Sequence, residues 1–156
     1  MNMTAKRTAP QKQPTPRTGG THVLPVTVYW EDTDAGGVVY YANYLRFAER
    51  GRTELLRRLG VNQSRLAAET GVIFAVRRAA AEYIAPARLE DALEIVTSVR
   101  AVSGATVEMD QWVRRGDEVL VRMDITIACI NARGRATRLP ADIARAFESF
   151  ASGTIP

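Results

Sequence analysis

The segment Glu31-Asp32-Thr33-Asp34-Ala35-Gly36-Gly37 places three carboxylates within four residues and follows them with two glycines. Carboxylates this close repel one another. Raised pKa values, a bound cation, or a turn whose amides cap the aspartates are the usual ways of accommodating such a cluster. A calcium loop does not fit, because counting from Asp32 puts Gly36 at position five and Asn43 at position twelve, where that loop requires an oxygen ligand and a glutamate. The segment lies just before an amphipathic stretch. The free N–H groups and dipole of a helix N-terminus there can stabilise negative charge developing on an oxygen. A carboxylate within reach of such an oxyanion site is the minimum needed to hydrolyse an activated ester, and it requires no histidine.

That last point matters because His22 is the only histidine. A Ser-His-Asp or Cys-His triad lacks a base, and a histidine-based metal site cannot be assembled; His22 is expected to be structural or solvent-exposed. The chain has no G-x-S-x-G, no phosphate-binding G-x-x-x-x-G-K-[ST] and no strand-preceded G-x-G-x-x-G. Cys129, the single cysteine, falls on the apolar side of a strand pattern and reads as inert packing. With one cysteine there is no internal disulfide, which fits a reducing compartment, and a cytoplasmic location is expected.

The elements that would hold the acidic segment follow from periodicity. Thr21 to Asp32 alternates as a strand, with Val26, Val28 and Trp30 on one side. Asn43 is placed to cap a helix in which Tyr44, Phe47, Ala48, Gly51, Leu55 and Leu59 share a face and Gly60 is the C′ residue. Gly51 in mid-helix costs up to about 1 kcal/mol relative to Ala, so a close approach of a sheet is expected there. A short helix at Ser64 to Thr70 ends at Gly71. Four strands follow, at Val72 to Ile84, Asp91 to Val102, Thr106 to Arg114 and Glu118 to Asn131, and Pro140 to Phe150 reads as a terminal helix or helical turn. Strand, long helix and then a run of strands with short connections imply an α+β layout, an antiparallel sheet packed on one helix. Its edge strands call for a partner, so a homo-oligomer is expected.

The chain has 156 residues, enough for one core that needs no staples. Of its 21 basic residues, Lys6, Arg7, Lys12 and Arg17 lie in the first 20 positions, which hold no acid; 17 basic and 17 acidic residues remain beyond them. The folded part is therefore neutral, and no nucleic-acid partner is expected. Residues 1–20 lack an apolar run, so they read as a disordered basic tail with no secretory signal, capable at most of peripheral membrane contact. The domain is expected over residues 21–150, with 151–156 as a C-terminal tail. No segment approaches the ~18 apolar residues of a membrane span.

The stretch Val28-Tyr29-Trp30-Glu31-Asp32-Thr33-Asp34-Ala35-Gly36-Gly37-Val38-Val39-Tyr40-Tyr41-Ala42-Asn43-Tyr44 resembles the signature of hot-dog-fold acyl-CoA thioesterases of the 4-hydroxybenzoyl-CoA thioesterase superfamily. Glu49 to Arg57 and Glu82 to Ile95 are similar to the Tol-Pal-associated, YbgC-type branch, and the resemblance covers residues 24 to 148. It implies a five-stranded antiparallel sheet wrapped around one long central helix, and hydrolysis of a fatty or aromatic acyl-CoA, or of the acyl group on acyl carrier protein. Asp34 stands where the family has its catalytic carboxylate, as nucleophile or general base, and the backbone N–H of Tyr41 stands at the oxyanion position. YbgC-type members commonly have histidine at that position, whereas the 4-hydroxybenzoyl-CoA branch has tyrosine.

Gly37 and Val38 of the same stretch are expected at the substrate. Arg135 and Arg138, near Arg133, form either a contact to CoA phosphates or a plain surface turn. Glu49 and Glu54 are the rival carboxylates, since other hot-dog thioesterases carry theirs on the central helix. The resemblance implies no cofactor and no metal, and a tetramer or a dimer. The alternative is a non-catalytic acyl-thioester binder or scaffold on the same fold.

Overall fold

A computed structural model describes residues 19–154. Residues 1–18 of the expected basic tail and 155–156 of the expected C-terminal tail lie outside the described residues. In order, the chain forms β1 (Thr21–Thr27), a 3-10 turn (Trp30–Asp32), α1 (Asn43–Arg58), α2 (Gln63–Thr70), β2 (Ile73–Tyr83), β3 (Ala92–Ser103), β4 (Thr106–Arg115), β5 (Glu118–Ile130) and α3 (Ala141–Ala151). The strands make one antiparallel sheet in the order β1-β3-β4-β5-β2. This is the hot-dog arrangement of five antiparallel strands and one long central helix.

Alternation decides which face of the sheet receives the helix. Leu93, Ile95 and Val99 of β3, Val107, Met109 and Val113 of β4, and Val121, Ile125 and Cys129 of β5 are all buried beneath Phe47, Ala48 and Leu55 of α1 and Phe147 and Phe150 of α3. Gly51 is a point of close approach between α1 and the sheet. A Cβ there would sit 2.9 Å from Ile95 Cγ2, 3.1 Å from Thr97 Oγ1 and 3.3 Å from Gln111 Nε2.

Two local expectations differ from what forms. The first strand stops at Thr27 rather than Asp32, because Val28 leaves the ladder to donate to the Asp91 carbonyl and Trp30 to Asp32 coil into the 3-10 turn. Asn43 does not cap α1 from outside. It is the first helical residue, and its Nδ2 donates instead to the Asp32 carbonyl at 2.9 Å. The side chain expected to close the helix end thus ties that end to the acidic loop.

Candidate active site

The acidic loop is built by short-range hydrogen bonds. Asp32 is 7% exposed; its Oδ2 accepts from the Tyr29 N–H at 2.8 Å, and its carbonyl accepts from the Tyr40 N–H at 2.9 Å as well as from Asn43. This carboxylate is a structural clasp. Beyond it the chain folds back on itself, with Asp34 N–H donating to the Val38 carbonyl at 2.9 Å and Gly37 N–H to the Asp34 carbonyl at 3.0 Å. Gly37 has φ +71°, a conformation that only glycine adopts without strain. Val39 then anchors the return by donating to Ala87 at 2.8 Å.

Asp34 is held differently from Asp32. Its Oδ1 accepts from the Gly36 N–H at 2.8 Å, its Oδ2 has no partner among the described residues, and the side chain is exposed. The three carboxylates therefore divide by environment into a buried clasp, Asp32, and a presented group, Asp34. The Tyr40 phenol sits above its ordinary range, chiefly through the Tyr41 side chain beside it and also through the negative charge of Asp34. Asp34 is thus within electrostatic reach of the residues that lead into α1.

At that helix start, none of the hydrogen bonds among the described residues uses the N–H of Tyr41 or Ala42. Orphan amides at a helix N-terminus are acceptor sites waiting for an oxygen. The Tyr41 carbonyl is fixed from across the fold by the Tyr83 hydroxyl, which donates to it at 3.1 Å. Tyr40 and Tyr41 rings lie 4.7 Å apart, Tyr41 and Tyr83 6.3 Å, and Tyr83 and Tyr44 5.8 Å. Tyr44 accepts from the Ala87 N–H at 2.9 Å, and burial raises its phenol pKa. Together with Val39, Ile84 and Pro86, Tyr41, Tyr44 and Tyr83 line a cavity of about 260 Å³.

The remaining candidates lie elsewhere. Glu49 accepts from Thr53 Oγ1 at 2.8 Å on the exposed side of α1, and Glu54 pairs with Arg57. His22 faces the far end of α1 near Arg58 and Glu54; its Nε2 is sealed without a partner among the described residues, and burial lowers its pKa. Cys129 is buried core, with its thiol pKa pushed up by burial. Arg135 and Arg138 are exposed in the connection that follows β5, beyond Ile130. Ile130 pairs with Ile73 and Tyr83 is ten residues further along β2, so the end of β5 from which this connection leaves and against which it folds back stands about 33 Å along the strand from Tyr83. Within one chain those arginines do not meet Asp34. Sequence patterning placed Tyr44 on the apolar face of α1 and at the end of the signature stretch but gave it no part in the site, and the only trace of Tyr83 was the Glu82-to-Ile95 stretch.

Comparison with known proteins gives concordant results. Residues 28–147 match the model of the thioesterase-like superfamily. The chain is 41% identical over 125 residues to the acyl-CoA thioesterase YbgC of Haemophilus influenzae, covering 80% of this chain and 92% of that one. It is 42% identical over 126 residues to the acyl-CoA thioester hydrolase YbgC of Escherichia coli O6:H1, covering 80% and 93%. Among solved structures, a probable thioesterase from Bartonella henselae superposes with a TM-score of 0.74 at 39% identity, over 77% of this chain and 99% of the other.

Proposed function

The chain belongs to the thioesterase-like superfamily and is a thioesterase, and from that premise we propose that it hydrolyses acyl-CoA with Asp34 as the reacting carboxylate and the Tyr41 N–H as the oxyanion donor. The observation that carries this reading is the pairing, at one end of α1, of a carboxylate with a free oxygen and a backbone N–H with no partner among the described residues. The thioester carbonyl oxygen sits at the Tyr41 amide, where the helix dipole stabilises the charge it gains. Asp34 then acts in one of two ways. As nucleophile, it attacks the carbonyl carbon, expels CoA thiolate and leaves an acyl-aspartyl anhydride that water cleaves; as general base, it takes a proton from the water that attacks directly. The cavity walled by Tyr41, Tyr44 and Tyr83 takes the acyl group next to the carbonyl, and Gly37 and Val38 flank the thioester from the hairpin.

The strand edges support an oligomeric active form. β1 is seven residues long and carries Pro25, which cannot donate to a further strand. β2 is eleven residues long, contains neither Pro nor Gly, and is paired on one side only. A second copy joined antiparallel along β2 would bring the Ile73 end of one chain to the Tyr83 end of the other. Arg135 and Arg138 of one copy then approach the Asp34 site of its partner, where they hold the CoA phosphates. The active form in this reading is a dimer or a tetramer built from it, acting in the cytoplasm on acyl-CoA or acyl carrier protein thioesters.

Thiol release from a panel of short, medium, long and aromatic acyl-CoAs tests the assignment. Asp34→Asn should lower kcat at least ~10²-fold; near wild-type turnover in that variant would refute it. Acyl-CoA binding by the wild-type chain with no thiol released at any acyl length would instead establish a non-catalytic binder.

A further inference from the structure

Arg52 lies nine residues past the start of α1 and is only 9% exposed. Its Nη1 donates to Gln111 Oε1 at 2.8 Å, and Gln111 Nε2 donates in turn to Thr97 Oγ1 and the Ala48 carbonyl. No carboxylate among the described residues is within ion-pair distance of Arg52. Glu49 supplies the opposing charge it feels, but from an exposed position where it holds the Thr53 hydroxyl. A guanidinium has five N–H donors, and burying a cation without a close anion is costly. One neutral hydrogen bond is all it receives among the described residues, and its other N–H groups, none of them sealed from solvent, are open to a ligand. Arg52 also borders a cavity of about 90 Å³ walled by Leu56, Phe74, Val76 and Ile127 and, on its polar side, by Glu49 and Gln63. That is room for about three water-sized groups.

The cavity lies at the end of a trough. α1 packs on β1, β3 and β4 rather than over β2. Val76, Ala79, Ala81 and Tyr83 of β2 stand opposite the buried residues Ile127, Ile125, Met123 and Val121, so they share the core side of the sheet, yet all four are exposed. Leu45, Glu49 and Arg52 form the facing stripe of α1 at i, i+4, i+7 spacing. The trough therefore runs from Tyr41 and Tyr83 at one end to Arg52 and Val76 at the other. Asn43 to Arg52 is about 14 Å along the helix axis. An extended chain advances ~1.2 Å per bond, and the side chain of Arg52 leans back toward the helix start, so the span suits roughly eight to twelve carbons.

Resting on the acyl-CoA reading above, we infer that the trough takes the acyl chain and that Arg52 is a subsite for a carboxylate at its far end: the substrate class is acyl-CoA carrying a terminal carboxylate, of medium length. The carboxylate gives the buried guanidinium the anion that the chain itself does not place beside it. The test is the kcat/KM ratio for decanedioyl-CoA over decanoyl-CoA, with ω-hydroxydecanoyl-CoA as a third substrate, followed by thiol release.

A charge-assisted hydrogen bond in a buried site should favour the carboxylate-ended substrate roughly tenfold to a hundredfold in the wild-type protein. Arg52→Met should collapse that ratio toward or below one, and Glu49→Gln, at the surface, should raise it by removing the nearby negative charge. Because each variant is judged by a ratio, partial loss of folded enzyme does not obscure the answer. A wild-type ratio near one, an unchanged ratio in either variant, or equal preference for the ω-hydroxyl substrate would overturn the subsite while leaving decanoyl-CoA hydrolysis in place. Absence of thiol release from every acyl-CoA would instead remove the thioesterase reading, and the subsite with it.

Discussion

Asp32 and Asp34 are two residues apart and do opposite things. Each carboxylate accepts one backbone N–H, but Asp32 is buried, with its carbonyl also tying Tyr40 and Asn43, while Asp34 is exposed and presents its free oxygen to solvent. The side chain of Tyr41 is exposed at 59%, and the proposed chemistry needs only its backbone N–H. Tyr41→Phe should therefore hold kcat within a few-fold of wild type on the best acyl-CoA, in contrast to Asp34→Asn; a large loss would give the phenol a direct part. His22 makes a separate prediction about pH. Burial, reinforced by the charge of Arg58, lowers its folded pKa below the ordinary 6.5. The unfolded chain then binds the proton more readily, so the stability associated with neutral His22 is present above pH 6.5 and is lost as pH falls below it. His22→Gln should flatten the dependence of Tm on pH between neutrality and about pH 5. An unaltered slope would show that another group carries it.

Among the elements, α1 is both the scaffold of the site and the part most constrained by its neighbours. Gly51 lets the helix lie against β3 and β4, and Gln111 bonds the Ala48 carbonyl from β4 at 2.9 Å, fixing where the helix start falls relative to the acidic loop. Gly51→Ala improves helix propensity by up to ~1 kcal/mol. It also pushes a methyl to 2.9 Å from Ile95 Cγ2, inside normal contact, and overpacking of that kind costs about 1–3 kcal/mol. The net effect expected is a lower midpoint in urea unfolding, together with reduced kcat as the Tyr41 amide shifts. A raised midpoint would mean that the sheet gives way easily. The close approach at Gly51 was legible in the sequence because a glycine in an otherwise apolar helix face demands a reason. The capping role expected of Asn43 was not, since the competing acceptor, the Asp32 carbonyl, arrives from another element.

For the molecule as a whole, the two sheet edges are unequal, and the exposed arginines of the β5–α3 connection stand far from the carboxylate of their own chain. The dimer proposed along β2 makes each site a product of two copies, which complementation can detect. Asp34→Asn protein should be inactive, and the Arg135→Ala, Arg138→Ala double variant should show a raised KM for acyl-CoA. A mixed dimer of the two contains one site with both an intact Asp34 and intact partner arginines, so mixing after dissociation should restore a component with wild-type KM. If the KM of the mixture stays at that of the double variant, the arginines do not act across copies.

The order of elements, the amphipathic helix with its glycine, the alternating strands and the acidic loop beside a helix start were all present in the sequence. Each depends on residues within a turn or two of one another, where periodicity, caps and turn chemistry operate. The tertiary structure alone decided that Tyr83 bonds the Tyr41 carbonyl across 42 positions and that Gln111 reaches Ala48 across 63. It also buried Arg52 beside a cavity and set Arg135 and Arg138 at the opposite end of the sheet from Asp34. The physical reason is that local sequence fixes which way a side chain leans on its own element, whereas what it meets depends on strand order and register, and these come from the packing of the whole core.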